Sequence, residues 1–152
     1  QRPNSPKSIL QDVKIGEYLR HKTAINIPEL KAMDPEGKYK ISRLVRGESL
    51  GEYLARNKGV IEPGLEAQLR KAVDDMLNLS KITNTKLDLS VDNLKIWNNK
   101  VYLIDAGPIP PDVSHPLSYE AFLSKWKKGA SSKVAFGNRC SGMWSTLRQL
   151  TF

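Results

Sequence analysis

The hydrophobic and polar positions divide the chain into elements of different period. From Lys7 to Lys22, Leu10, Val13 and Glu17 recur at helical spacing, and Ile15, Tyr18 and Leu19 widen the apolar face; this predicts a helix opened by Ser5-Pro6. Glu17 is the odd member, an acid on an inward stripe, expected at a rim or against a buried cation. Ile25, Ile27 and Leu30 then form an extended run interrupted by Pro28. The Asp34–Gly37 segment, DPEG, is a turn signal. After it, Tyr39, Ile41 and Arg43 alternate with Lys40, Ser42 and Leu44 up to Val45, which predicts a β-hairpin over Ile25–Val45. ESLGEYLARN predicts a short helix. The strongest helical pattern follows, with Leu65, Leu69, Ala72, Val73, Met76 and Leu77 on one face and Pro63 in the first turn. Two short strands, Leu94–Trp97 and Val101–Ile104, flank a tight Asn98-Asn99-Lys100 turn. Beyond Gly107 come a proline-rich loop, a helix with Tyr119, Phe122, Leu123 and Trp126 on one face, a loop over 129–142 and a short closing helix over 143–152.

Composition narrows the classes. The chain has 152 residues, 39% of them hydrophobic, enough for one domain with a core. No apolar run approaches the ~20 residues of a membrane helix. The opening Gln1–Pro6, without methionine or signal-peptide pattern, reads as a cut point in a longer protein, with 1–6 as linker. Lys and Arg number 24 against 16 Asp and Glu, a formal net charge of +8. That excess favours polyanionic partners, although no run of five like charges occurs. The single cysteine, Cys140, excludes an internal disulfide framework. Two histidines, His21 and His115, are too few for a histidine-based metal site and receive no catalytic role.

The chemistry concentrates in KLDLSVDNLKIWNNKVYLIDAG, Lys86–Gly107. Asp88 precedes Asn93 by five residues, and Asp105 follows Asn93 by twelve across the predicted hairpin. Three polar groups thereby stand at the mouths of two strands. A plain β-hairpin with solvated acids would have no use for that arrangement.

Asp-x4-Asn, a hairpin and a hydrophobic-Asp-x-Gly segment together resemble the protein-kinase-like fold, and KISRLVRGESLGEYL resembles its last small-lobe strand, hinge and first large-lobe helix. The resemblance covers roughly Ile9–Leu123. It implies an α+β, protein-kinase-like chain: a truncated small lobe of helix and β-hairpin over 7–45, and a mostly helical large lobe over 46–152. It further implies Asp88 as the catalytic base, and Asn93 and Asp105 as ligands of Mg2+. Glu17, Ser42, Arg43, Leu44, Val45 and Asn93 would contact ATP, with Ser42 as gatekeeper, Arg43–Val45 as hinge and Glu17 as the helix acid. The implied activity is ATP-dependent transfer to a serine or threonine hydroxyl of a protein substrate. Phosphoryl transfer requires mainly positioning and charge neutralisation, which suits such a set.

The departures are specific. Lys86 and Leu87 stand in the family's His and Arg places, so an activation loop anchored by phosphorylation is not expected. Ala106 replaces Phe, and no Ala-Pro-Glu triplet follows. No Gly-rich loop or lysine-bearing strand precedes Lys7, so the chain is expected to be an incomplete fragment, poor in Mg-ATP binding and inactive alone unless Lys7 or Lys14 replaces the missing lysine. Its unpaired hairpin edge invites a missing small-lobe segment or self-association. The trimming resembles bacterial secreted effector kinases, which implies a cytoplasmic location or secretion into a host cytosol. The alternatives are a kinase-like pseudoenzyme or binding scaffold, a small-molecule kinase, and a basic nucleic-acid-binding domain using Trp126, Lys125, Lys127, Lys128 and Lys133. Trp126 is expected in the core, which disfavours nucleic acid.

Overall fold

The computed structural model describes residues 6–127, with side chains from Ile9 onward. Residues 1–5 of the expected linker, the 129–142 loop, the closing helix, Cys140, Lys128, Lys133 and the Lys7 side chain lie outside what is described, and Pro6 belongs to the first helix. The order is α1 (Pro6–Lys22), β1 (Leu30–Met33), β2 (Lys40–Ser42), β3 (Glu48–Ser49), α2 (Leu50–Arg56), α3 (Pro63–Thr83), β4 (Leu94–Trp97) and β5 (Lys100–Leu103). A further helical stretch, α4, covers 119–127. The fold is α+β, with β1–β2 as one antiparallel pair and β3–β4–β5 as a second antiparallel sheet.

The long helix sets the frame. Pro63 occupies the first turn of α3, and Asn84 closes it in the left-handed region at φ 49°. Its apolar stripe, Leu65, Leu69, Ala72, Val73, Met76, Leu77 and Leu79, is buried. Leu54, Leu87, Leu94, Leu103 and Phe122 complete the same core. Each of the larger of these side chains contributes roughly 1.5–3 kcal/mol by leaving water. Ser49 and Glu52 form a reciprocal capping box that starts α2 where β3 ends. Trp126 packs against the core, with the Lys125 ammonium 5.5 Å from its ring centre.

The hairpin that carries the motif is regular. Leu94 pairs with Leu103 and Trp97 with Lys100. Asn98 and Asn99, at φ 49° and 57°, make a two-residue loop whose positive φ angles suit the right-handed twist of the flanking strands. β5 accordingly begins at Lys100, one residue before the expected strand. The Gln68 side chain holds this turn: its Nε2 donates to Asn99 O at 2.9 Å, and its Oε1 accepts from Val101 N at 3.2 Å. Gly47 lies so close to β4 that a Cβ there would sit 2.2 Å from Ile96 O.

Two expectations are corrected in the first third of the chain. At β2 the apolar residues do not face inward: Tyr39, just before it, and Ile41 are 54% and 53% exposed, while Lys40 turns inward. A hairpin with one covered face can present either set of side chains to it, and a one-residue change of facing exchanges them all. In α1 the buried positions are Asp12 and Leu19, with Ile15 packed on the core, whereas Tyr18 is exposed; Glu17 is half-exposed at a rim, one of the two places expected for it. The rotation follows from partners fixed outside the helix, described below. Asn26 joins this region to the second sheet: its carbonyl accepts from Leu103 N at 2.9 Å and its side chain donates to Val101 O at 3.0 Å. Among the described residues, no helix is long and apolar enough to cross a membrane.

Candidate functional site

The hairpin positions Asn93 and Asp105 by its register. One step beyond the Leu94–Leu103 pair, Ile104 N donates to Asn93 O at 2.9 Å, so the residue before Asp105 is tied to Asn93. Asp88 is brought in by a second backbone contact. Leu87 and Pro108 form an isolated antiparallel bridge, and Asp88 N donates to Gly107 O at 3.0 Å. Asp105 Oδ1 accepts from Gly107 N at 3.1 Å, which closes the Asp-Ala-Gly turn. Asp88 and Asp105 thus border one cavity of about 170 Å³, together with Asp12, Lys40, Gly107 and Pro108.

Lys40 and Asp12 are the members that the sequence pattern did not reveal. The Lys40 ammonium hydrogen-bonds and ion-pairs with Asp12 Oδ2. Asp12 Oδ1 accepts from Ala106 N at 3.0 Å. Asp12 is nearly enclosed, with 10% of its side chain exposed against 30% for Lys40. A buried carboxylate is tolerated because both oxygens have partners. These partners explain the rotation of α1, since a helix cannot turn Asp12 away without stranding Ala106 N–H. The one available signal was Asp12 itself, an acid three residues before Ile15 and seven before Leu19.

Electrostatics follow from the crowding. Burial is the main cause that pushes the Asp88 carboxyl above its ordinary range; Asp105 and Asp92 add to it, while Asn93 and His115 oppose it. Burial likewise lowers Lys40, opposed by the Asp105 carboxylate. The Asn93 amide is near enough to favour ionised Asp88, yet its Nδ2 is buried without a hydrogen bond of ordinary geometry. Such an orphan is costly unless a ligand or a rotated amide completes it.

The donors fit a hard divalent cation carried with a phosphate. The Asp105, Asp88 and Asp12 carboxylates and the Lys40 ammonium border one cavity; Asn93 is not among its lining residues, and its amide lies beside Asp88. Among the described residues no group of three or more His, Cys, Asp or Glu converges as a self-sufficient metal site. Magnesium needs none, because it commonly uses one or two carboxylates plus substrate phosphates and water.

The other expected contacts are dispersed. Glu17 pairs with Arg20 and His21, both at 3.4 Å, rather than with Lys40. Ser42, Arg43 and Leu44 are exposed and Val45 is buried. Arg43 N donates to Glu29 O at 2.8 Å, and Ser42 and Glu17 border a separate, smaller cavity behind Lys40. Lys14 is exposed. Compared with protein-family models, characterised proteins and solved structures, the chain matches none of them.

Proposed function

We propose that this chain is a kinase-like phosphotransferase that moves the terminal phosphoryl group of ATP onto a hydroxyl, with a protein serine or threonine as acceptor. The observation that carries the reading is one cavity bordered by Asp88, Asp105 and the acid-held Lys40. In this reading α1 and β1–β2 are a reduced small lobe, and the remaining elements form the large lobe.

Magnesium-bound ATP would bring the phosphoryl group and an ion that draws charge from it. Asp105 and Asn93 would hold that ion through their oxygens. Lys40, fixed by Asp12, would direct its ammonium at the phosphates. Asp88 would accept the hydrogen bond of the attacking hydroxyl and then its proton; its raised affinity for protons makes it a stronger base than a free carboxylate. In the family, the corresponding lysine precedes the helix that carries its acid. Here Lys40 follows α1, and transfer chemistry depends on where the ammonium sits rather than on chain order.

A binding scaffold is the second reading. Tyr39 and Ile41 on the open face of β1–β2, with Leu44 71% exposed nearby, favour contact with another chain. Calorimetric titration with Mg-ATP, paired with labelled transfer to a degenerate Ser/Thr peptide mixture, separates the two. Binding and transfer that both fall at least about tenfold in Lys40→Met support the phosphotransferase. Absence of Mg-ATP binding by the wild type at millimolar nucleotide leaves the scaffold.

A further inference from the structure

The residues immediately before and after Leu87 hold a second segment as well as Asp88. Lys86 O accepts from Ile109 N at 2.9 Å, and Asp88 N donates to Gly107 O at 3.0 Å. The Lys86 ammonium donates to Val113 O at 2.9 Å and also to Pro111 O. His115 Nε2 donates to Leu87 O at 2.8 Å. Segment 107–115 is therefore attached to 86–88 along its length, by backbone bonds at one end and by two side chains at the other. It contains three prolines at or beside these contacts, Pro108, Pro110 and Pro111, and Pro116 follows it directly. Proline removes amide donors, so such a segment has little backbone pairing of its own and depends on outside donors for its carbonyls. Lys86 is suited to this: one flexible ammonium with three donors can serve two carbonyls at once.

We infer that Lys86 is a positioning residue that clamps segment 107–115 as the acceptor-side wall beside Asp88, so that this wall is assembled without any covalent modification of the segment. The inference rests on the phosphotransferase reading for the word acceptor; the clamp itself rests on the hydrogen bonds alone. Lys86 does not border the cavity that holds Asp12, Lys40 and Asp105. Its loss should therefore affect where an acceptor lies more than how nucleotide binds. A longer, phosphate-anchored segment would have to be ordered by added charge; here the positive charge is supplied by Lys86, and the groups it meets are carbonyls that are already present.

The test compares wild type, Lys86→Met and Lys86→Arg. Amide hydrogen exchange at Ile109 and Val113 should speed by about tenfold or more in Lys86→Met and stay within about threefold of wild type in Lys86→Arg, which can still bridge two carbonyls. Phosphatase-treated wild type should transfer label from ATP to a degenerate Ser/Thr peptide mixture at its full rate. In Lys86→Met, peptide transfer should fall at least about tenfold through KM, while Mg-ATP affinity and hydrolysis to water persist. Unchanged exchange in Lys86→Met overturns the clamp. Equal loss of hydrolysis and peptide transfer, or a wild type that hydrolyses ATP but never modifies peptide, overturns the acceptor role. A wild type with protected Ile109 and Val113 that binds no Mg-ATP refutes the phosphotransferase reading itself, and the acceptor role with it.

Discussion

Lys40 and Asp12, separated by 28 residues, meet in one ion pair whose acid also accepts the Ala106 amide hydrogen at 3.0 Å. One carboxylate thereby joins α1, β2 and the turn that presents Asp105. Lys40→Met is expected to leave Asp12 nearly enclosed and half-satisfied. Breaking a buried pair from one side costs about 3–5 kcal/mol, and the partial exposure of Lys40 places this case near or below the lower end, about 2–3 kcal/mol. Urea unfolding measures it. The double variant Lys40→Met/Asp12→Leu should recover part of the loss, because the buried charge is gone although Ala106 N–H loses its acceptor. A double variant no more stable than Lys40→Met would mean that the pair is not buried as described.

Asp88 gives a pH-dependent prediction. Its folded carboxyl binds a proton more readily than in the unfolded chain, chiefly through burial. The folded state therefore holds more protons in the window between the ordinary carboxylate value and the raised one, and stability falls as pH rises through that window. Asp88→Asn should melt at higher temperature than wild type at pH 7. The gain should disappear in acid below the ordinary carboxylate range, where both forms are neutral. The same variant should lose transfer activity by ~100- to 10,000-fold. A stability gain that persists unchanged in acid would assign the effect to something other than charge.

Asp105 should matter more for nucleotide than Asp88 does. Asp105→Asn keeps an oxygen to accept Gly107 N–H, so the turn survives while a hard anionic ligand is removed. Titration with Mg-ATP should show a larger loss of affinity in Asp105→Asn than in Asp88→Ala. Equal affinities in the two variants would mean that their assignments as ion ligand and base are mistaken.

Gly47 offers a test of the fold independent of any activity. A Cβ at this position would lie 2.2 Å from Ile96 O, a backbone atom that cannot move without separating β3 from β4. Gly47→Ala should destabilise the protein by about 1–3 kcal/mol. Thermal unfolding measures the shift, and a variant as stable as wild type would mean that β3 does not pack against β4 as described.

What the sequence determined by itself is the local structure. The apolar stripe of α3, Pro63 at its start, the Ser49–Glu52 cap and the Asn98-Asn99 turn each follow from interactions within a few residues. The approach of Asn93 to the Asp105 turn was legible for the same reason, because a hairpin converts separation along the chain into cross-strand proximity; Asp88 reaches Asp105 only through the Leu87–Pro108 bridge, a tertiary contact. Tertiary structure alone decided which faces of α1 and β2 turn inward. α1 carries apolar residues on more than one side and β2 is only three residues long with Ile41 as its one apolar member, so their own periodicity left the choice open. It was made by groups far away in the chain: the amide of Ala106, the carboxylate of Asp105 and the space between them. For that reason neither Lys40 nor Asp12 stood out in the sequence as a member of a site. The pairing of Lys40 with Asp12 is a contact of side chains from different elements, and no local pattern encodes it.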